Sequence, residues 1–185
     1  MISHKGTQII HTERLLLRKY DLKDVGDIFE NYATDERVTK FLSWEPYENI
    51  ETLESFVAAQ VSAYSDAIYN WVIEYNRRVI GSISVTQIDN KNESCEIGYC
   101  IGCNYWNKGI MTEAVSAVLK YLFVEAGFHR VFAKHDVENP ASGIVMQKCN
   151  MLYEGKLREQ YRRHDGTFSD SLIYSILINE FGQTK

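Results

Sequence analysis

Three short stretches hold residues whose types and spacing could do chemistry. In "CEIGYCI" (95–101) the two-residue strand period places Glu96, Gly98 and Cys100 on one face and Cys95, Ile97, Tyr99 and Ile101 on the other. A carboxylate partly withdrawn from water by such neighbours would take a proton near neutrality, which suits a general base. A glutamate at the edge of a sheet paired to a lysine is the alternative. The second stretch, "NYWNKGIMTEA" (104–114), has no nucleophile and no acid ahead of Glu113, but it leads into a helix with Gly109 in its middle. The first-turn amides of a helix lack internal partners and its dipole makes that end mildly positive. Gly109 lets the backbone come close to a ligand and Lys108 adds a cation, a combination that would cradle a pyrophosphate. An ordinary strand-to-helix turn is the plainer reading. In the third stretch, "VENPASGIVMQKCNMLYEG" (137–155), Asn139, Ser142 and Met146 share one helical face. Asn139 could simply cap that helix, Ser142 satisfy its backbone and Lys148 face the dipole at its end.

The elements that must position these residues can be read from pattern and punctuation. "RLLLRKY" (14–20) reads as a strand, and Asp21 and Asp24 as helix starters before "VGDIFENYA". Residues 35–50 read as a loop with an exposed aromatic pair, Trp44 and Tyr47, and a helix follows over 50–66 with Leu53, Phe56, Val57, Gln60, Val61 and Tyr64 at helical spacing. The period then changes to two over 69–75, 78–89 and 93–101, with "NRR" and "DNKN" as turns, so an antiparallel meander is expected. A helix over 112–126 ends at Gly127, a strand covers 130–136, and Asn139 with Pro140 opens a helix to about Cys149, where Asn150 takes a left-handed cap. The tail reads as a long hairpin around "HDGT".

Composition narrows the classes. The chain has 185 residues, 45% hydrophobic and 24% charged, with two prolines and no linker-like tract or repeat, which predicts one domain over 1–185. A net charge of −5 argues against a partner made of nucleic acid. The N-terminus lacks the pattern of a signal peptide, and the apolar runs fall far short of the ~20 residues that span a bilayer, so a cytoplasmic protein without a membrane partner is expected. Its four cysteines are then reduced thiols. Cys100 and Cys103 form a CxxC at the end of a strand rather than at a helix start, with no second pair and no nearby histidine, so neither metal nor redox chemistry is expected there.

Taken together and in order, "EIGYCIGCNYWNKGIMTEA" and "NPASGIVMQKCNMLYEG" resemble the GNAT superfamily of acyl-CoA-dependent N-acetyltransferases, and within it the RimJ/RimL-type branch that acetylates α-amino groups of ribosomal proteins. The resemblance runs from "TERLLLRKYDLKD" to "GTFSDSLIYSIL". It implies an α/β fold, a mixed and mostly antiparallel sheet of about seven strands flanked by about four helices. The family's cofactor loop reads Gln/Arg-x-x-Gly-x-Gly/Ala, often Trp-Gly-Lys-Gly-Tyr-Ala-Thr-Glu-Ala in this branch. Trp106, Lys108, Gly109, Thr112, Glu113 and Ala114 match, while Asn107 replaces the first glycine and Met111 the alanine.

By this resemblance acetyl-CoA is the acyl donor, bound by Trp106, Asn107, Lys108, Gly109, Ile110, Met111 and Thr112, by the strand end at Tyr99, Cys100 and Ile101, and by Asn139, Ser142 and Lys148. Glu96 becomes the base, directly or through water. Many relatives place a tyrosine acid where Met146 stands, so Ser142 or water takes that role here. Trp44, Tyr47, Glu96 and Tyr161 are the expected acceptor contacts, with Glu45, Glu48 and Arg162 beside them. The acceptor is an amine: a protein N-terminus, or a small molecule such as a polyamine, amino acid or antibiotic. A monomer or homodimer is expected. The replacements at Asn107, Met111 and Met146 leave open a third role, an acyl-CoA sensor that has lost turnover.

Overall fold

The computed structural model describes residues 2–182. Eight strands form one sheet: β1 (Ile10–His11), β2 (Leu15–Arg18), β3 (Asn70–Tyr75), β4 (Arg78–Asp89), β5 (Ser94–Ile101), β6 (Arg130–Asp136), β7 (Leu152–Arg162) and β8 (Phe168–Leu177). Their order is β1-β2-β3-β4-β5-β6-β8-β7. β5 and β6 run parallel, whereas the pairs β1–β2, β2–β3, β3–β4, β6–β8 and β7–β8 are antiparallel. Among the described residues five α-helices accompany them: α1 (Val25–Ile28), α2 (Glu36–Thr39), α3 (Ile50–Ala63), α4 (Ile110–Lys120) and α5 (Pro140–Lys148). This is the mixed α/β fold expected, with one more strand and one more helix. The added strand is the two-residue β1, too short to show a period.

The added helix corrects the reading of 35–50 as loop throughout. Asp35 caps α2 by accepting from Arg37 N at 2.9 Å, and a single turn is too short for an apolar stripe to reveal. Upstream, Asp21 accepts from Lys23 N at 3.0 Å while Asp24 accepts from Asp21 N at 2.9 Å, a reciprocal capping box that starts the chain into α1. Asn49 caps α3 through Thr52 N at 2.9 Å. That helix stops at Ala63 rather than near residue 66, because Tyr64 turns to extended backbone. Its hydroxyl donates to Asn70 O at 2.8 Å and accepts from Tyr20 N at 2.9 Å. The β3–β4 turn places Asn76 and Arg77 at φ 49° and 63°, the twist that a two-residue hairpin requires.

Contacts group the described residues into two compact units. The first comprises 4–84 and 99–114. Its core gathers Tyr20, Ile28, Tyr32, Leu53, Val57, Val72 and Val79. Arg18 ties it together, reaching Asp24 at 2.7 and 2.8 Å and Glu74 at 2.9 Å. The second comprises 2–3, 85–98 and 115–182. Val118, Leu122, Phe128, Val131, Met146 and Ile176 are buried in it, and Gly127 (φ 78°) reverses the chain before β6.

Candidate active site

In the first unit, the end of β5 leads into the head of α4. Tyr105 N donates to Gly102 O at 2.9 Å and Trp106 N to Cys103 O at 3.2 Å, making a tight turn over Cys103–Tyr105. Trp106 Nε1 donates to Ile101 O at 2.9 Å, which fastens the loop to the strand end. Asn107 and Gly109 then take left-handed backbone, φ 59° and 71°, and Gly109 O accepts from Glu113 N at 3.1 Å as α4 begins. Asparagine is the side-chain residue that tolerates this conformation best, so replacing the family's first glycine costs little. Around Gly109 the nearest atom to an added Cβ would be the Arg14 guanidinium at 3.7 Å; backbone conformation, not crowding, demands glycine. The other replacement is equally quiet: the Met111 side chain is buried, as is Ile110. Trp106 to Gly109 are exposed, and Lys108 Nζ lies 5.6 Å from the Tyr105 ring.

Sequence reasoning passed over the contacts that hold this loop from below. Glu113 accepts from Thr12 Oγ1 at 2.6 Å, Arg14 N at 2.9 Å and Arg14 Nε at 2.6 Å, and Arg14 also donates to Lys108 O at 2.9 Å. Burial alone would push the Glu113 carboxyl up, but these hydrogen bonds and the guanidinium charge hold it below its ordinary value. Glu113 matches the branch motif, yet its partners lie about a hundred residues away in the chain, where no spacing rule reaches.

The CxxC is divided between environments. Burial pushes the Cys100 thiol up, with Ser82 Oγ at 3.4 Å. Cys103 opens the short turn, a helical start after all, and donates to Asp35 at 3.0 Å. Its thiol is pushed up too, by burial and then by Asp35, so little thiolate forms. Among the described residues no cluster of three or more His, Cys, Asp or Glu is placed to hold a metal.

The aromatic pair of residues 35–50, expected to be exposed, is not. Trp44 and Tyr47 are half-buried against its core, their rings 5.8 Å apart, with Tyr47 6.2 Å from Phe56. The stretch is pinned as Tyr47 N donates to Ala33 O at 2.9 Å.

In the second unit, Glu96 lies at the last registered position of the parallel pair. Ser94, Cys95 and Glu96 face Arg130, Val131 and Phe132, and the register stops there while both strands continue. The Glu96 side chain is 17% exposed and Lys134 Nζ stands 3.3 Å from it. The lysine pairing given as the alternative for Glu96 is therefore present, with Lys134 of the next strand beside the carboxylate, although β5 lies inside the sheet and not at its edge. Asn139 caps α5, its Oδ1 3.4 Å from Ser142 N and its carbonyl accepting from the same amide at 3.2 Å. Asn139 and Ser142 are half-buried, whereas Met146 is turned into the core at 1% exposure. Lys148 is exposed at the far end of α5, about 9 Å of helix rise from Ser142, and does not join it.

Two further groups there were not anticipated. His135 is buried, its Nδ1 2.8 Å from Asp136 O and its ring stacked on Tyr174 at 5.7 Å, while Nε2 has no hydrogen-bond partner among the described residues. Asp136 receives Arg163 at 2.9 and 3.0 Å. Burial would push its carboxyl up, but Arg163 and the Glu138 amide hold it below the ordinary value. Tyr161, half-buried on β7, has its hydroxyl pushed up by burial and then by the Asp136 charge.

Residues 14–152 match the model of the acetyltransferase (GNAT) domain, and the chain belongs to that family. It is 30% identical over 177 residues to the uncharacterised N-acetyltransferase p20 of Bacillus licheniformis, covering 94% of this chain and 98% of that one. It is 33% identical over 172 residues to the uncharacterised N-acetyltransferase YoaA of Bacillus subtilis, covering 91% and 96%. The crystal structure of a GNAT-family acetyltransferase from Bacillus anthracis superposes with a TM-score of 0.83 at 30% identity, covering 94% and 100%. The chain is therefore an N-acetyltransferase that uses acetyl-CoA. Its exposed loop, with two left-handed residues and inward-turned Ile110 and Met111, fits a pyrophosphate read by backbone.

Proposed function

We propose that the chain transfers an acetyl group from acetyl-CoA to a primary amine, with a protein N-terminal α-amino group as acceptor. Acetyl-CoA, when bound, supplies an activated thioester carbonyl. The backbone of Trp106 to Thr112 receives its pyrophosphate, with Lys108 adding charge, and the strand end at Tyr99, Cys100 and Ile101 offers backbone groups to the pantetheine arm. Glu96 takes the proton from the acceptor ammonium, directly or through a water. Ser142, set by Asn139 at the head of α5, donates a proton to the departing thiolate. Met146 cannot take that task, being apolar and buried. Trp44, Tyr47 and Tyr161 contribute to acceptor recognition.

The observation that carries this reading is the end of the β5–β6 register at Glu96 and Phe132. It leaves a carboxylate at the point where β5 backbone stops pairing with its parallel neighbour. For the acceptor, a ribosomal protein uS5 alanine N-acetyltransferase of Escherichia coli is 24% identical over 174 residues, covering 89% of this chain. A second reading, a polyamine acceptor, rests on a Vibrio cholerae spermidine N(1)-acetyltransferase at 24% over 149 residues, covering 80%, and on the exposed carboxylates Glu45 and Glu48. An acceptor screen with acetyl-CoA, reading free thiol, decides between them. Turnover confined to peptides with a free N-terminus supports the proposal; turnover confined to spermidine and related amines supports the second reading. Binding of acetyl-CoA without turnover on any amine would leave a sensor.

A further inference from the structure

We infer that Glu113 and Arg14 are positioning residues for the acetyl-CoA loop: a brace that sets the direction of the Gly109 amide without touching the cofactor. The inference rests on the reading of Trp106 to Thr112 as the pyrophosphate site. Its starting point is the conformation of the loop. Asn107 and Gly109 both occupy left-handed backbone, which neither residue is bound to adopt, so something outside the loop must hold Lys108 between them. Arg14 Nη1 does so, donating to Lys108 O at 2.9 Å. A trans peptide points its N–H opposite its C=O, and no peptide among the described residues is cis. Fixing the Lys108 carbonyl toward Arg14 therefore aims the Gly109 N–H the other way, off the outer side of the loop.

The guanidinium can hold that direction only if it is itself held. Glu113 Oε2 accepts from Arg14 Nε at 2.6 Å, and Glu113 Oε1 accepts from Arg14 N at 2.9 Å and Thr12 Oγ1 at 2.6 Å. The carboxylate lies in the first turn of α4, where its charge would repel a phosphate were it turned outward. Three donors turn it toward Thr12 and Arg14 instead and compensate its charge. Lysine at position 14 could keep the charge but not the fork that spans a carboxylate and a carbonyl.

The test compares Glu113→Gln, Arg14→Lys and Gly109→Val with the parent, measuring the apo melting temperature, the CoA Kd by titration calorimetry, and KM for acetyl-CoA with kcat. The brace predicts that Glu113→Gln and Arg14→Lys each raise the CoA Kd and the acetyl-CoA KM about tenfold, with kcat at saturation within twofold. It predicts further that the double variant binds no worse than the weaker single one, because both changes release the same peptide. A CoA Kd within twofold of the parent in both brace variants, with Gly109→Val weakened, overturns the brace and leaves the loop reading standing. An unchanged Kd in Gly109→Val overturns the loop reading itself. A fall in apo melting temperature and kcat with Kd unchanged would assign Glu113 a purely structural role.

Discussion

The loop at the head of α4 and the region around Glu96 and Ser142 use the chain in opposite ways. In the loop the side chains are solvent-facing or turned into the core, and what it offers is a backbone with Asn107 and Gly109 at φ 59° and 71°. Around Glu96 the backbone is regular strand and helix, and what is offered is side chains: a carboxylate beside Lys134 and a serine set by the cap of α5. A backbone site depends on conformation, so it is damaged by residues that forbid that conformation. A side-chain site depends on one functional group, so it is damaged by near-isosteric changes that leave the fold intact. The two regions should therefore fail in different measurements.

The largest effect expected is from Glu96→Gln, which keeps the shape and removes the proposed base: kcat at neutral pH should fall by about 10²-fold or more while the CoA Kd stays within twofold. Steady-state rates with thiol detection, beside calorimetry with CoA, check it. Ser142→Ala should cost less, about tenfold in kcat, since water can protonate the thiolate in its place; a rate equal to the parent removes Ser142 from the mechanism.

A stability change should move neither parameter in that selective way. At Gly143 an added Cβ would lie 2.6 Å from His135 Nε2, and the ring is held by Asp136 O and Tyr174. Gly143→Ala should destabilise by about 1–3 kcal/mol, lowering the melting temperature by several degrees. An unchanged melting temperature would show that the imidazole yields freely.

The smallest effect is on pH dependence. The Glu113 and Asp136 carboxyls are held below their ordinary values of 4.5 and 3.8. A depressed carboxyl contributes its full stability above the unfolded value and loses it as pH falls through the folded one. The melting temperature should be insensitive to these groups from pH 7 to about 5 and fall below about pH 4.5, with Glu113→Gln and Asp136→Asn each shallower than the parent. A variant as steep as the parent below pH 4.5 would remove its carboxyl from that linkage.

The existence of the longer strands and helices was legible from their period, though α3 ends at Ala63, not near 66, and α4 covers Ile110–Lys120, not 112–126. β4 and β6 fall where alternation places them, and α5 starts at its Asn-Pro signal. The one-turn α2 and two-residue β1 were not, because no period fits into so few residues. The loop's conformation was legible because glycine and asparagine advertise left-handed backbone. The partners of the side chains were not. Lys134 reaches Glu96 from the neighbouring strand, Arg14 reaches Glu113 from about a hundred residues upstream, and Arg163 reaches Asp136 from the far hairpin. Trp44 and Tyr47 looked exposed because their loop is polar, yet core contacts, invisible in the local pattern, half-bury both.

The most direct test sets Glu96→Gln beside Gly109→Val and measures kcat and the CoA Kd for both. Separate binding and chemical regions predict that Gly109→Val raises the CoA Kd about tenfold or more, while Glu96→Gln lowers kcat about a hundredfold with Kd within twofold. Glu96→Gln with parental kcat, or Gly109→Val with parental affinity, would contradict that division.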